Sequence, residues 1–567
     1  MYSILTFLIL GACAFPSSIA WQQQCEGFIA DATTTSVKNL ATFYYPAGSL
    51  INVTSPWNTL TTTDLPAFCR LKFDVLTNPM TGKTAGVELW LPDDWNTRML
   101  AFGGGGWSGG VPFGPMGVDG VAQGYASYGT NGGKFIQETT FYSRELTRVF
   151  TAGHQSDWLD GSWGLGNDDA IVDFGYRAVH LSVVASKALT SQYYGNEHSK
   201  SYFSGCSNGG RQGIKSMASY PEDFDGLIVG SPANPFGRWI PWTLRQSLVM
   251  QPVNSSRWIS TDTWAIIHQE ILRQCDALDG VVDGYLHDPK ACNFRPELAT
   301  CRPNGDPTTC LSVDQLESFR KLYTTYVDGD QNYMSAPYTL GGELLWGTHG
   351  VSTPAPWQMA EHYYKYFVLN DTNWDWRTLN ASTIQLGIDI NPGEIDVSDL
   401  ICIIGSRPES HILVAAQINV PDLTAFFARG GKVIQYTGWS DELIAPGDSL
   451  RLTKRLSALW VLQIKWYSDV SAFTLANTDI NPDEHFRLFM VPGMTHCAYG
   501  PSAWAFGANE HRFRAPHLQE GPRYDAQAAI VEWVENNRPI DDLVATKYEN
   551  DTGGIAFTRK LCPSLLG

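Results

Sequence analysis

Hydrophobic and polar positions divide the chain into two strand-bearing stretches, separated by a long one in which that pattern is lost. In the first stretch Val87-Glu88-Leu89-Trp90-Leu91 reads as a strand, and Arg98 to Phe102 as another running into Gly103-Gly104-Gly105-Gly106. Apolar residues near three- and four-residue spacing (Val172, Tyr176, Val179, Val183) predict a helix from about Asp169 to Tyr194. Ser201-Tyr202-Phe203 is a short strand, Asn208 to Tyr220 a helix, and Leu227-Ile228-Val229 the next strand. Between about Ser231 and Ala415 the sequence is rich in Trp, Asn and Pro and lacks clear alternation of strand and helix. The pattern resumes at Lys432-Val433-Ile434-Gln435-Tyr436, continues at Phe486 to Val491 and closes with a helix near Ala526–Asn537. No internal repeat stands out, which argues against a solenoid or propeller. The expected fold is α/β, with residues 21–231 and 416–567 forming one domain and 232–415 an insertion folded over the sheet's active edge as a lid.

Composition narrows the class. The chain has 567 residues, 43% hydrophobic and 12% aromatic, as in a packed globular protein. A net charge of −18 argues against an electrostatic footprint for nucleic acid or anionic membrane. Residues 1–20 carry no charged side chain, hold an apolar run from Ile4 to Leu10 and end in Ser18-Ile19-Ala20, the pattern of a signal peptide cleaved before Trp21. That run is well short of the ~20 residues a membrane span needs. Sequons at Asn52, Asn254, Asn370, Asn380 and Asn550 fit a secreted chain, as do ten cysteines once Cys13 leaves with the leader. The expected location is extracellular.

Candidate chemistry starts at Gly205-Cys206-Ser207-Asn208-Gly209, a G-x-S-x-G sequence between a predicted strand and a predicted helix. A serine hydroxyl needs a base to take its proton, and the base needs an acid to orient it. His496 and Asp441 follow the predicted strands Phe486–Val491 and Lys432–Tyr436, in the order Ser, Asp, His of an α/β-hydrolase, with Asp448 as reserve acid. Asp441 could instead cap a helix, and His496 could be a buried structural histidine. Oxyanion donors are expected at the N–H of Asn208 and in the glycine run, at Gly105, where absent side chains admit a substrate. A dinucleotide loop is disfavoured, since no G-x-G-x-x-G with the proper spacing follows. Cys206 and Cys497 each adjoin a candidate catalytic residue, so one disulfide between them would clamp nucleophile against base.

A second constellation lies in Cys275-Asp276-Ala277-Leu278-Asp279-Gly280-Val281-Val282-Asp283-Gly284-Tyr285. Three carboxylates interleaved with glycines could wrap a hard cation, or form a solvated Asp-Gly turn. The spacing is not that of an EF-hand.

With these residues in hand, the chain resembles the tannase and feruloyl esterase family of secreted serine esterases. The resemblance rests on Gly-Cys-Ser-x-Gly-Gly-Arg at Gly205–Arg211, Gly-Gly-Lys…Gly-Trp-x-Asp at Gly430–Asp441 and Pro-Gly-Met-x-His-Cys at Pro492–Cys497. It implies an α/β-hydrolase with a lid domain and a triad of Ser207, Asp441 and His496 above a Cys206–Cys497 bridge. It further implies a structural calcium held by Asp276, Asp279, the Val281 carbonyl, Asp283 and the Tyr285 carbonyl. The pairings Cys25–Cys69, Cys275–Cys292 and Cys301–Cys310 follow from it too, leaving Cys402 and Cys562 to pair or stay free. Thr495 departs from the smaller residue usual before that histidine. The expected substrates are esters of hydroxylated aromatic acids, feruloyl or cinnamoyl esters of plant cell walls first and galloyl esters second, with no nucleic-acid or membrane partner. A serine peptidase is disfavoured because no site for a terminal carboxylate is evident. A non-catalytic binding protein is disfavoured because all three triad positions are filled.

Overall fold

Nine strands pair into one sheet in the computed structural model, which describes residues 18–33, 37–56, 58–132, 158–234, 236–327, 329, 333–346, 353–396, 422–446, 462–515, 518–549 and 553–564. They are β1 (Val37–Tyr45), β2 (Phe68–Asn78), β3 (Lys83–Pro92), β4 (Arg98–Phe102), β5 (Ala126–Thr130), β6 (Lys200–Cys206), β7 (Gly226–Gly230), β8 (Lys432–Gly438) and β9 (Phe486–Val491). Their spatial order is β1-β2-β3-β5-β4-β6-β7-β8-β9. The pairs from β1 to β5 are antiparallel, and those from β5 through β4 to β9 are parallel. The alternating pattern predicts an α/β sheet, and this strand order is the α/β-hydrolase arrangement that the resemblance implies.

Strand composition explains the layering. Every residue of β7 and of β8 is buried, as required of parallel strands covered on both faces. Their side chains alternate between two cores. Leu227, Val229 and Val433 join helix α2 (Ala178–Tyr194) on one face, whereas Ile228, Ile434 and Tyr436 join Ile530 and Trp533 of the C-terminal helix Ala526–Asn536 on the other. The helix expected over 169–194 is present but contains a π-helical turn at Asp173–Arg177. Helix α1 (Ser18–Glu26) spans the position where leader cleavage is expected, and Trp21 beyond it stacks on Tyr193, ring centroids 6.2 Å apart.

Strands β7 and β8 are neighbours in the sheet although some two hundred residues of chain lie between them. The described part of that excursion contributes Trp239, Trp242, Trp264, Trp346, Trp357 and Trp376 to a buried cluster that it shares with Trp163, Ile171 and Phe174. Leu443 and Ile444, just past β8, and Trp107, just past β4, are embedded in the same cluster. The excursion therefore packs on loops that leave the carboxyl ends of the strands, where ligands of open α/β sheets bind.

All four disulfides suggested by the resemblance are formed: Cys25–Cys69, Cys206–Cys497, Cys275–Cys292 and Cys301–Cys310. Among the described residues Cys562 is exposed and has no disulfide. Cys402, Asp448 and Asn550 lie outside the described residues.

Candidate active site

Strand β6 ends at Cys206, and Ser207 follows with φ 61° and ψ −123°, a left-handed conformation that costs a non-glycine residue energy. Helix α3 (Asn208–Ser219) starts at the next residue. The turn is held by main-chain bonds: Ser207 N–H donates to Gly230 O (2.9 Å), and Ser207 O accepts from Arg211 N–H and Ala233 N–H. Its glycines are steric necessities. A Cβ on Gly205 would lie 2.7 Å from the Gly209 main chain, and one on Gly209 would lie 2.9 Å from Gly104 O. The glycine run after β4 can thus press against the start of α3.

Asp441 and His496 arrive on the loops after β8 and β9. His496 Nδ1 lies 3.0 and 2.9 Å from the two oxygens of Asp441, a buried carboxylate. Asp441 Oδ1 also accepts from the N–H groups of Leu443 and Ile444, so its orientation is fixed. Burial opposes a charged His496, but the Asp441 charge and hydrogen bond outweigh it and hold the imidazole pKa above its ordinary value. The two loops approach closely because β8 ends in Gly438, where a Cβ would sit 2.1 Å from Met494 O. Thr495, the departure noted in the sequence, donates its hydroxyl to Ala498 O and fits the turn.

Ser207 and His496 line one cavity, and the Cys206–Cys497 bond ties their neighbours together with Cα atoms 5.9 Å apart. Trp158, Phe236, Trp239, Trp357, Met359 and Leu443 form an apolar wall. Gly103, Gly104 and Gly106 line the cavity, whereas Gly105 does not. The N–H groups of Gly103 and Gly104 are engaged by Ser204 O and Gln212 Oε1. Asn208, on the first turn of α3, has a main-chain N–H with no carbonyl one turn earlier to accept it, the expected position of an oxyanion donor. The arrangement offers a nucleophile, an oriented base and an electropositive helix start facing one apolar cavity. That is the equipment of acyl transfer.

Two supporting residues carried no signal in periodicity. Arg211 is fully buried on α3: its Nε donates to Asn208 Oδ1, and its other nitrogens donate to the carbonyls of Phe174, Gly175 and Ile395. Burial pushes its guanidinium down to about 9, with the Asp396 charge opposing. Phe174 and Gly175 lie in the π-helical turn, whose altered ladder leaves carbonyls for side-chain donors. The other is Glu442, discernible in sequence only as a second acid after Asp441.

In the acidic loop Asp276 is buried and accepts from the N–H groups of Asp283 and Gly284, and Asp279 is exposed and accepts from Val281 N–H. Asp283 Oδ2 pairs with Arg559 at 2.8 Å, while Asp283 Oδ1 is buried without a hydrogen-bond partner. Among the described residues no three His, Cys, Asp or Glu side chains gather as a metal-ligating group. A cation here would depend on main-chain carbonyls as well, and the orphaned Asp283 oxygen is the observation that fits one.

Residues 74–564 match the family described as Tannase and feruloyl esterase, and the chain belongs to it. Members are carboxylic ester hydrolases. The chain is 32% identical to a probable feruloyl esterase B-2 of Aspergillus flavus over 560 residues, 97% of this chain and 93% of that protein. It superposes on the crystal structure of feruloyl esterase B from Aspergillus oryzae with a TM-score of 0.78 at 28% identity, covering 96% and 95% of the two chains. A tannin acyl hydrolase from Aspergillus niger shares the fold, with a TM-score of 0.66 at 20% identity over 97% and 93%.

Proposed function

We propose that this chain is a secreted esterase that hydrolyses esters of hydroxylated aromatic acids, feruloyl and other cinnamoyl esters first, through an acyl-enzyme on Ser207. The observation that carries the reading is the wall of Trp158, Phe236, Trp239 and Trp357 in the cavity shared by Ser207 and His496. Flat rings bind a flat aromatic acyl group by offset or edge-on stacking over a large apolar area. The names of the Aspergillus flavus and Aspergillus oryzae relatives point the same way.

In this mechanism Ser207 Oγ attacks the ester carbonyl carbon while His496 Nε2 takes its proton. Asp441 holds Nδ1–H and stabilises the imidazolium that forms. The carbonyl oxygen gathers charge at the N–H of Asn208, beside the positive end of α3. His496 then protonates the leaving alkoxide, and a water repeats the sequence on the acyl-enzyme.

Calcium belongs to the same proposal. Asp276, Asp279, Asp283 and the carbonyls of Val281 and Tyr285 would hold it, where it would cross-link a loop and supply no chemistry to the ester. Secretion is supported by residues 1–20, by four disulfides and by exposure of Asn52, Asn254, Asn370 and Asn380 as glycan acceptors. No helix among the described residues is long and apolar enough to cross a membrane. The test is a turnover panel of methyl ferulate, methyl gallate, p-nitrophenyl acetate and a blocked peptide. Methyl ferulate is expected to give the highest kcat/KM; faster cleavage of the gallate or the peptide would overturn the substrate assignment.

A further inference from the structure

Glu442 is the second carboxylate of the loop after β8 and is almost wholly buried. Its Oε2 accepts a hydrogen bond from the main-chain N–H of His496 at 3.1 Å. One loop therefore grips the histidine twice: Asp441 holds the ring and Glu442 the backbone. Among the described residues, titratable and charged groups from several elements act on this pair. Asp441 shares the loop, Tyr338 comes from the excursion as a neutral phenol, and Arg514 acts on His496 from the helix His511–Arg514, where it is itself paired with Glu510. Burial pushes the Glu442 carboxyl up to about 7 and the adjacent Asp441 charge adds to this, while His496 pulls the other way.

We infer that Glu442 is a positioning residue of the triad, fixing the main chain of His496 and setting, through its charge, the pH at which that histidine becomes a base. The inference rests on the ester-hydrolase reading of Ser207, Asp441 and His496. Neutral or ionised, the Glu442 carbonyl oxygen can accept the His496 N–H, so the grip persists across the titration. The charge does not. Once Glu442 ionises, it stabilises the imidazolium, and His496 keeps its proton to a higher pH. The two groups thus titrate as a pair.

Two substitutions separate grip from charge. Glu442→Gln keeps an acceptor oxygen and removes the charge; Glu442→Ala removes both. The measurement is the pH profile of kcat/KM on methyl cinnamate, which has no titratable group, per active site counted with a fluorophosphonate. E442Q should move the acid limb to lower pH by about one unit, because the imidazolium loses a stabilising charge. E442A should move it likewise and also lose plateau kcat by roughly tenfold or more, with KM changed far less, as the base drifts out of place. E442Q should keep more of the plateau than E442A. An acid limb unmoved or raised in E442Q overturns the inference, as does a wild-type plateau in E442A. If E442A does not fold, the E442Q profile decides alone. Failure of the wild type to react with the fluorophosphonate and to turn over the ester would sink the underlying reading instead; wild-type turnover with an unmoved E442Q limb sinks only this inference.

Discussion

Cys206 and Cys497 stand 291 positions apart in the chain, yet their Cα atoms are 5.9 Å apart and their sulfurs are bonded. One adjoins Ser207, the other adjoins His496, and the carbonyl of Cys497 is held in turn by His511 Nε2 at 2.9 Å. Closing so long a loop stabilises by on the order of 5 kcal/mol on the chain-entropy argument. The local consequence is larger for function, since a misplacement of ~1 Å can cost about a hundredfold in rate. Cys206→Ala/Cys497→Ala should therefore lose about a hundredfold in kcat per folded molecule, measured against circular dichroism and thermal melting of the same sample. A folded double variant with full activity would show that the bond serves stability alone.

Ser207→Ala should stay folded and lose roughly four to six orders of magnitude in turnover. Retention of a tenth of the activity would exclude the serine mechanism.

Asp441→Asn should lower kcat by on the order of ten-thousand-fold by leaving His496 misoriented. The pH dependence carries a second signature. His496 must be neutral to act as base, and its pKa is raised by Asp441, so kcat/KM should climb through an acid limb above the ordinary imidazole value of 6.5. Removing the Asp441 charge should move what activity remains to lower pH. A wild-type limb at or below 6.5 would contradict the electrostatic account.

Gly438→Ala tests the approach of the acid and base loops. Its Cβ would meet Met494 O at 2.1 Å, where neither main chain can yield cheaply. The expected cost is about 1–3 kcal/mol of stability, with kcat falling as the His496 loop is pushed back. Unchanged urea unfolding and unchanged kcat would refute it.

Calcium binding predicts that chelation lowers Tm, by mass action worth about 2.7 kcal/mol at a hundredfold excess over Kd. Asp283→Asn should abolish the effect of the chelator while leaving the rate at saturating ester within about twofold. Metal analysis of protein purified without chelator, finding no calcium, would remove the ion from the account.

Much of the site is written locally. An elbow needs only a strand, five residues and a helix, so Ser207 and Asn208 are visible in a short window of sequence. Asp441 and His496 are visible because each follows an apolar strand run, and strand ends are where such folds place chemistry. Gly105 shows the limit: four consecutive glycines announce a close approach, but only packing against Gly209 decides which of them line the cavity, and Gly105 does not. The helix over 169–194 shows another. Its apolar spacing is continuous through the π-helical turn, whose carbonyls are used by Arg211, a residue well over thirty positions away.

The sequence by itself determined six of the nine strands of the sheet and the residue types of the triad, because side-chain periodicity and turn chemistry act over a few residues. Strands β1, β2 and β5 and the alternation of strand side chains between two cores came only with the structure. The tertiary structure alone decided which walls face Ser207, bringing Trp158, Trp239 and Trp357 together from separate segments, and which oxygen reaches the His496 backbone. Those contacts join groups far apart along the chain. They depend on how whole layers pack, and no local pattern encodes that.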